Sequence, residues 1–251
     1  MRGPLVQREL HASTGELSRA DGSGSFGYGS QTSMASVIGP IEVRLREEIT
    51  DSATLQVTFV PQSGPVGISA KAVSADILGL FKAVVLLHHH PRTQIQVTVQ
   101  TISTAPASST GNLPLLLGPD AAPLASEIAA SINAASMALL DGGIPMKATV
   151  AAVSLAVIDA DKARRSLADK NDLVIVVDPS AEEEALAQST HVFAFAISGI
   201  DPTAPNTDDA AVQLVYSSSA GATQLPMLSR LIQTASDVAL ETHAFMRSKL
   251  I

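Results

Sequence analysis

This chain of 251 residues contains no cysteine and no tryptophan, and aromatic residues make up only 3% of it. Without cysteine there is no disulfide and no thiolate to act as nucleophile or ligand, a composition suited to a reducing compartment. Two Tyr and six Phe are too few for a surface on which successive bases stack. Charge is sparse as well, at 16% of residues against 46% hydrophobic, and sixteen Lys and Arg face twenty-four Asp and Glu for a net charge of −8. That balance lacks the basic field of an autonomous nucleic-acid binder. So low a charge density also implies a surface largely covered by partners. The longest apolar runs fall far short of a membrane span, so no membrane partner is expected. The N-terminal MRGPLVQREL has no signal-peptide core.

What remains is an ordered globular composition, read as a single domain over residues 1–251. Leu55, Val57 and Phe59 alternate with polar residues as a half-buried strand does, and two prolines and two glycines between Pro61 and Gly67 break the chain. From Lys71 to His90 the apolar residues Val73, Ile77, Leu80, Phe81, Val84, Val85 and Leu87 recur at helical spacing, ended by Pro91. Ile95, Val97 and Val99 predict another strand. Residues 103–123, rich in Ser, Thr, Pro and Gly, read as a surface insertion whose Leu113 to Leu117 island docks on the body. An alanine-rich helix from Leu124 to Asp141 closes on Gly142-Gly143.

Ala148 to Ile158 and Leu173 to Val177 are apolar enough for interior strands. Ser180 with Glu183 matches a capping box, so a short helical turn follows Asp178-Pro179. His191 to Ile197 and Val212 to Tyr216 predict two more strands. The longest helix runs from Leu225 to Lys249, with Leu228, Leu231, Ile232, Ala235, Val238, Ala239 and Phe245 on one face. Strands outnumber helices, and their mixture predicts α/β layers.

Gly22, Gly24 and Gly27 spell G-x-G-x-x-G, the pattern that cradles a pyrophosphate when it joins a buried strand to a helix N-terminus. Neither flank fits. LHASTGELSRA before it carries no run of branched apolar residues, and Gln31 to Ile38 after it alternates as a strand does until Gly39-Pro40. The glycines therefore read as a hairpin turn with positive φ, and a dinucleotide-binding oxidoreductase is the weakest functional alternative. No G-x-S-x-G elbow and no phosphate-binding G-x-x-x-x-G-K-[ST] occurs.

His88, His89 and His90 point about 100° apart on a helix and cannot converge on one ion, so no metal site is expected; His11, His191 and His243 lack ligand spacing. Glu182, Glu183 and Glu184 suit the start of a helical turn, where the dipole favours acids. Lys162, Arg164, Arg165 and Lys170 are offset by three aspartates between Asp161 and Asp172.

Four segments in order, DGSGSFGYGSQTSMASVIGPIEV, HHHPRTQIQVTVQTI, INAASMALLDGGIP and VIVVDPSAEEE, resemble the RNase PH family. The correspondence runs through Asp21-Gly22-Ser23, Gly29 and Thr32, Gly39-Pro40 with Glu42, Pro91-Arg92, and Ala138-Leu139-Leu140-Asp141. The resemblance implies an α/β (α+β) RNase PH-like fold of layered sheets with packed helices, similar to ribosomal protein S5 domain 2. Active members of that family cleave RNA from its 3′ end with phosphate, using a Gly-Thr-Arg cradle and an acid within D-L-D-x-x-x-D. Here the cradle falls at Ser126-Glu127-Ile128, with no Arg and with a Glu that repels phosphate. The acid pattern, begun at Asp159 or Asp161, runs into Arg164 and Arg165.

Inactive relatives build most of the six-subunit ring of the eukaryotic RNA exosome. The resemblance thus implies a noncatalytic ring subunit without cofactor, partnered by RNase PH-like ring subunits and RNA-binding cap subunits. Such a subunit would support 3′-to-5′ RNA processing and decay, rRNA maturation included, in nucleus, nucleolus and cytoplasm. Single-stranded RNA threading the shared channel would meet Arg92, Lys162, Arg164 and Arg165. The enzyme alternative is a residual phosphate- or metal-dependent nuclease using Asp159, Asp161 and His residues.

Overall fold

Residues that alternate in polarity pair into sheets, and residues apolar at every third or fourth position roll into helices that cover them. The computed structural model describes residues 5–62, 66–104, 123–159, 173–199 and 211–250. The first sheet holds β1 (Leu10–Thr14), β2 (Gly22–Tyr28), β3 (Gln31–Glu42), β4 (Thr54–Val60) and β5 (Thr93–Ser103), in the order β1-β2-β3-β5-β4. All its pairs are antiparallel except β4 with β5, which are parallel and joined through α1 (Ile68–Val84). The second sheet is antiparallel throughout. It holds β6 (Thr149–Asp159), β7 (Leu173–Val177), β8 (Ser189–Ser198) and β9 (Ala211–Gly221), in the order β7-β6-β8-β9.

Between the sheets lies α2 (Ala125–Asp141), which packs on β2 and β3 from one side and on β6 and β8 from the other. Alternate residues of β6 and β8 divide between two cores. Val150, Ala152, Val192, Ala194 and Ala196 face the α2 side. Val153, Leu155, Phe193, Phe195 and Ile197 pack with Leu231, Ala235, Val238 and Ala239 of α4 (Leu225–Leu250). Short α3 (Ala181–Leu186) follows β7.

The glycine motif is not a turn. Gly22, Gly24 and Gly27 are strand residues of β2, none of them with positive φ; the turn to β3 is carried by Gly29 at φ 59°. Their role is close approach. A Cβ on Gly22 would stand 2.3 Å from the Gly142 nitrogen and 2.4 Å from the Ala138 oxygen, and one on Gly24 2.7 Å from the Ala138 nitrogen. No strand was foreseen before the motif, yet β1 pairs with β2 from Leu10 to Thr14. Its edge position spares it the run of branched apolar residues that a central strand needs.

The first helix is shorter than its apolar spacing predicts. It ends at Val84, because Val85 turns extended and forms a bridge with Met146, while Lys147 N–H bonds the Val84 carbonyl. His88 and His89 consequently sit in a separate 3-10 turn, Leu87–His89, and not at the C-terminus of α1. The capping box is present as read: Ser180 Oγ accepts from Glu183 N–H at 3.3 Å, and Ser180 N–H bonds the Glu183 carboxylate at 3.0 Å. The predicted insertion at 103–123 lies almost wholly outside the described residues, as does the Leu113 to Leu117 island.

The glycine contacts generate a paired prediction. Gly22→Ala forces a Cβ into backbone atoms of α2 and should lower stability by about 1–3 kcal/mol, read as a lower urea midpoint. Gly79→Ala, on an exposed position of α1 with nothing within 4 Å of its Cβ, should raise stability by about 0.5–1 kcal/mol.

Candidate functional site

The first turn of any α-helix leaves backbone N–H groups without helical partners, and the aligned dipole makes that end attractive to anions. At α2 the N-cap is Leu124, whose side chain cannot accept. The acceptor is Glu184 from α3. Its carboxylate takes the N–H of Ala125 at 3.0 Å, the N–H of Ser126 at 3.1 Å and the Ser126 hydroxyl at 2.9 Å. The Ser180–Glu183 box sets where α3 begins, and Glu184 is the next residue along. The sequence reading that these acids serve a helix dipole is right in its physics. Glu184 serves a different helix from its own.

Around this contact lies a buried polar network. Ser126 Oγ, whose one proton is shared with Glu184, also lies 2.9 Å from Gln31 Oε1, and Gln31 Nε2 has no hydrogen-bond partner among the described residues. Thr101 donates to the Glu127 carboxylate at 2.6 Å, and the backbone N–H of Leu124 also bonds it. Glu127 therefore faces β5. Burial raises the Glu127 carboxyl above its ordinary range, against the opposing pull of those two donors. Burial likewise raises Glu184, opposed by its bonds from Ser126 and Ala125.

Next to the network Arg8 clamps Asp178 with two guanidinium bonds, Nε to Oδ2 at 2.7 Å and Nη2 to Oδ1 at 2.5 Å, plus a backbone bond at 3.2 Å. Burial works against the guanidinium charge, but the bond and charge of Asp178 outweigh it and hold the Arg8 pKa above its ordinary value. Asp178 has positive φ, 49°, and turns the chain from β7 into α3. The Arg8 guanidinium lies 6.0 Å from the centre of the Tyr28 ring. The Tyr28 hydroxyl donates to the Ala152 carbonyl at 3.0 Å and accepts from Asn133 at 3.1 Å.

The arrangement is an anion seat already filled by a carboxylate of the same chain. Three donors converge where a small oxyanion would be held, and each is taken. The seat coincides with Ser126-Glu127-Ile128, where the family resemblance locates its cradle. Sequence reasoning passed over Glu184 as the occupant. One signal could have found it: Asp178, Ser180 and Glu184 repeat the spacing of D-L-D-x-x-x-D, directly after the β7 strand.

Of the other predicted residues, Asp159 closes β6, while Asp161, Lys162, Arg164 and Arg165 lie outside the described residues. Arg92 stands far from the network, just before β5. Its side chain is 67% exposed, 3.4 Å from Glu48, at φ 59°. His191 is buried and bonded to the hydroxyls of Ser219 at 2.8 Å, Ser189 at 3.0 Å and Thr223 at 3.1 Å. Burial lowers its pKa, and no group of His, Asp and Glu placed to hold a metal occurs among the described residues.

Residues 7–145 match domain 1 and residues 148–200 match domain 2 of the 3′ exoribonuclease family, RNase PH. Exosome complex component rrp46 of Schizosaccharomyces pombe is 37% identical over 133 residues, 53% of this chain and 51% of that protein. The chain thus aligns with about half the length of that relative. Exosome complex component RRP46 of Saccharomyces cerevisiae is 28% identical over 185 residues, covering 74% of this chain and 73% of its own. The crystal structure of rice (Oryza sativa) Rrp46 superposes with a TM-score of 0.76, at 20% identity and over 100% of this chain and 98% of that one. The layered fold described above is the RNase PH-like fold.

Glu127 supplies a pH test. Its folded pKa is raised above the ordinary 4.5, so its contribution to stability is fully present below the unfolded value and is lost as pH rises through the folded one. Glu127→Gln keeps an acceptor for Thr101 and cannot ionise. The melting temperature of the variant relative to the parent should therefore climb as pH rises from below 4.5 towards neutrality, measured by calorimetry.

Proposed function

The chain belongs to the RNase PH family of 3′ exoribonucleases, and from that premise we propose that it is a noncatalytic RNase PH-like ring subunit of an RNA exosome. It supports 3′-to-5′ RNA processing and decay, including rRNA maturation. It does so by completing a channel with related ring subunits under RNA-binding cap subunits, in nucleus, nucleolus and cytoplasm. The nuclease activity resides in partners.

One observation carries the noncatalytic part of this reading. The N-terminal amides of α2, at the position of the family's phosphate cradle, are bonded to the Glu184 carboxylate. Inorganic phosphate would have to displace a carboxylate held by three donors and approach the half-buried Glu184 and the buried Glu127, with no Arg in the motif. The ring assignment draws on the resemblance to the two yeast Rrp46 proteins. The low charge density agrees with it, since a subunit enclosed by neighbours needs few charges to stay soluble. Arg92, Lys162, Arg164 and Arg165 remain the residues proposed to meet RNA.

A residual phosphate-dependent nuclease is the rival. Burial raises the pKa of Glu184, the direction in which a carboxyl is tuned towards general-acid work.

Two measurements separate the readings. Incubated with labelled single-stranded RNA, phosphate and Mg²⁺, the purified chain should release no nucleoside diphosphate; release abolished by Glu184→Gln or Asp161→Asn would establish the nuclease instead. Glu184→Ala should lose about 1–3 kcal/mol of stability by orphaning the two backbone N–H donors of Ala125 and Ser126. Orthophosphate at about 10 mM should then raise the melting temperature of that variant and leave the parent unchanged.

A further inference from the structure

A cleft of about 430 Å³ opens where the last residues of α2, the start of β6, the end of β8 and the final turns of α4 converge. It lies at the opposite end of α2 from Glu184. Its floor is apolar: Ile144, Ile197 and Met246 are 5%, 2% and 0% exposed. Its ionisable lining is basic. His243 and Arg247 stand one turn apart on α4, and Lys147 comes from the segment before β6. No Asp or Glu lines it among the described residues, in a chain whose net charge is −8.

Both cations are available. The ion pairs among the described residues are Arg8 with Asp178 and Arg92 with Glu48, and neither involves the cleft. Lys147 Nζ makes one long bond, 3.3 Å to the Ala83 carbonyl, which leaves it with unused donors. Burial lowers the pKa of His243, and the charge of Arg247 lowers it further.

We infer that this cleft docks a segment of a partner polypeptide that carries one bulky apolar side chain beside a carboxylate. The apolar group fills the floor over Ile144, Ile197 and Met246, and the carboxylate bridges Lys147 and Arg247. A nucleic acid suits it less well. No Phe, Tyr or Trp lines the cleft to stack on a base, and two cations above a hydrocarbon floor neutralise few phosphates. The inference does not depend on the ring reading, since any acidic, apolar partner segment satisfies it.

The test titrates the full chain with a fluorescein-labelled peptide of core Asp-Leu-Phe-Asp, against Asn-Leu-Phe-Asn and Asp-Ala-Ala-Asp, by fluorescence anisotropy. Saturable binding of the first at peptide concentrations up to about 1 mM is expected, with each control at least about tenfold weaker. Lys147→Glu combined with Arg247→Glu should weaken the first peptide at least about tenfold and leave the circular dichroism spectrum unchanged. Bound peptide should also raise the pKa of His243, followed through its imidazole proton resonances, because it sets a negative charge beside Arg247. Binding that ignores the charge reversal, equal binding of the Asn peptide, or no saturation would overturn the inference. So would displacement by an oligouridine tighter than the peptide, or self-association of the chain that the charge reversal abolishes.

Discussion

Helix α2 has no free face, and both sheets are shaped by that constraint. Nearly every residue from Ala125 to Leu139 is buried, on all sides of the helix. A helix packed on both flanks by sheets leaves room only for small side chains at the contacts, hence its alternation of Ala and Ser. The same tightness explains residues elsewhere in the chain. Gly22 and Gly24 of β2 let the strand touch the helix backbone, and the small side chains Ala152, Ala194 and Ala196 of the second sheet share the same core as α2.

Enclosure also obliges α2 to satisfy every polar group internally. Asn133 takes both the N–H and the carbonyl of Ala152, at 2.7 and 2.9 Å, in a stretch of β6 that β7 does not reach. Ser136 accepts from Val150 N–H at 3.3 Å, and Ser131 donates to Ser33 at 3.2 Å. The N-terminus of α2 is held to the same rule. With its amides out of reach of water, an internal anion stabilises the helix end, and Glu184 provides it. The position at which the resemblance locates the family's phosphate cradle is also where the helix end needs an acceptor. Here the structural need is met from within the chain.

Much of this was legible in the amino-acid order. The alternation in Leu55 to Phe59, in Ile95 to Val99 and in His191 to Ile197 named strands that are present, and the apolar face from Leu228 to Ala239 named the side of α4 that packs on the second sheet. The Ser180–Glu183 box was readable because both partners lie within one turn. Less legible was β1, whose strand character comes from pairing with β2 and not from its own residues. The end of α1 was hidden too, since the bridge that stops it is made by Met146, far along the chain. The glycines of β2 were misread as a turn for the same reason. Their neighbour is α2, more than a hundred residues away.

The sequence by itself determined the periods, the caps, the absence of thiol chemistry and the order of segments that marks the family. All of these rest on residues within a few positions of one another, or on composition, so no folding is needed to read them. Tertiary structure alone decided which acid meets which helix. Glu183 and Glu184 are adjacent and chemically alike, yet one caps its own helix and the other neutralises α2, because successive residues of a helical turn point about 100° apart. The chain's most consequential charge was visible from the start. Where it goes depended on a helix that begins nearly sixty residues earlier, at Ala125.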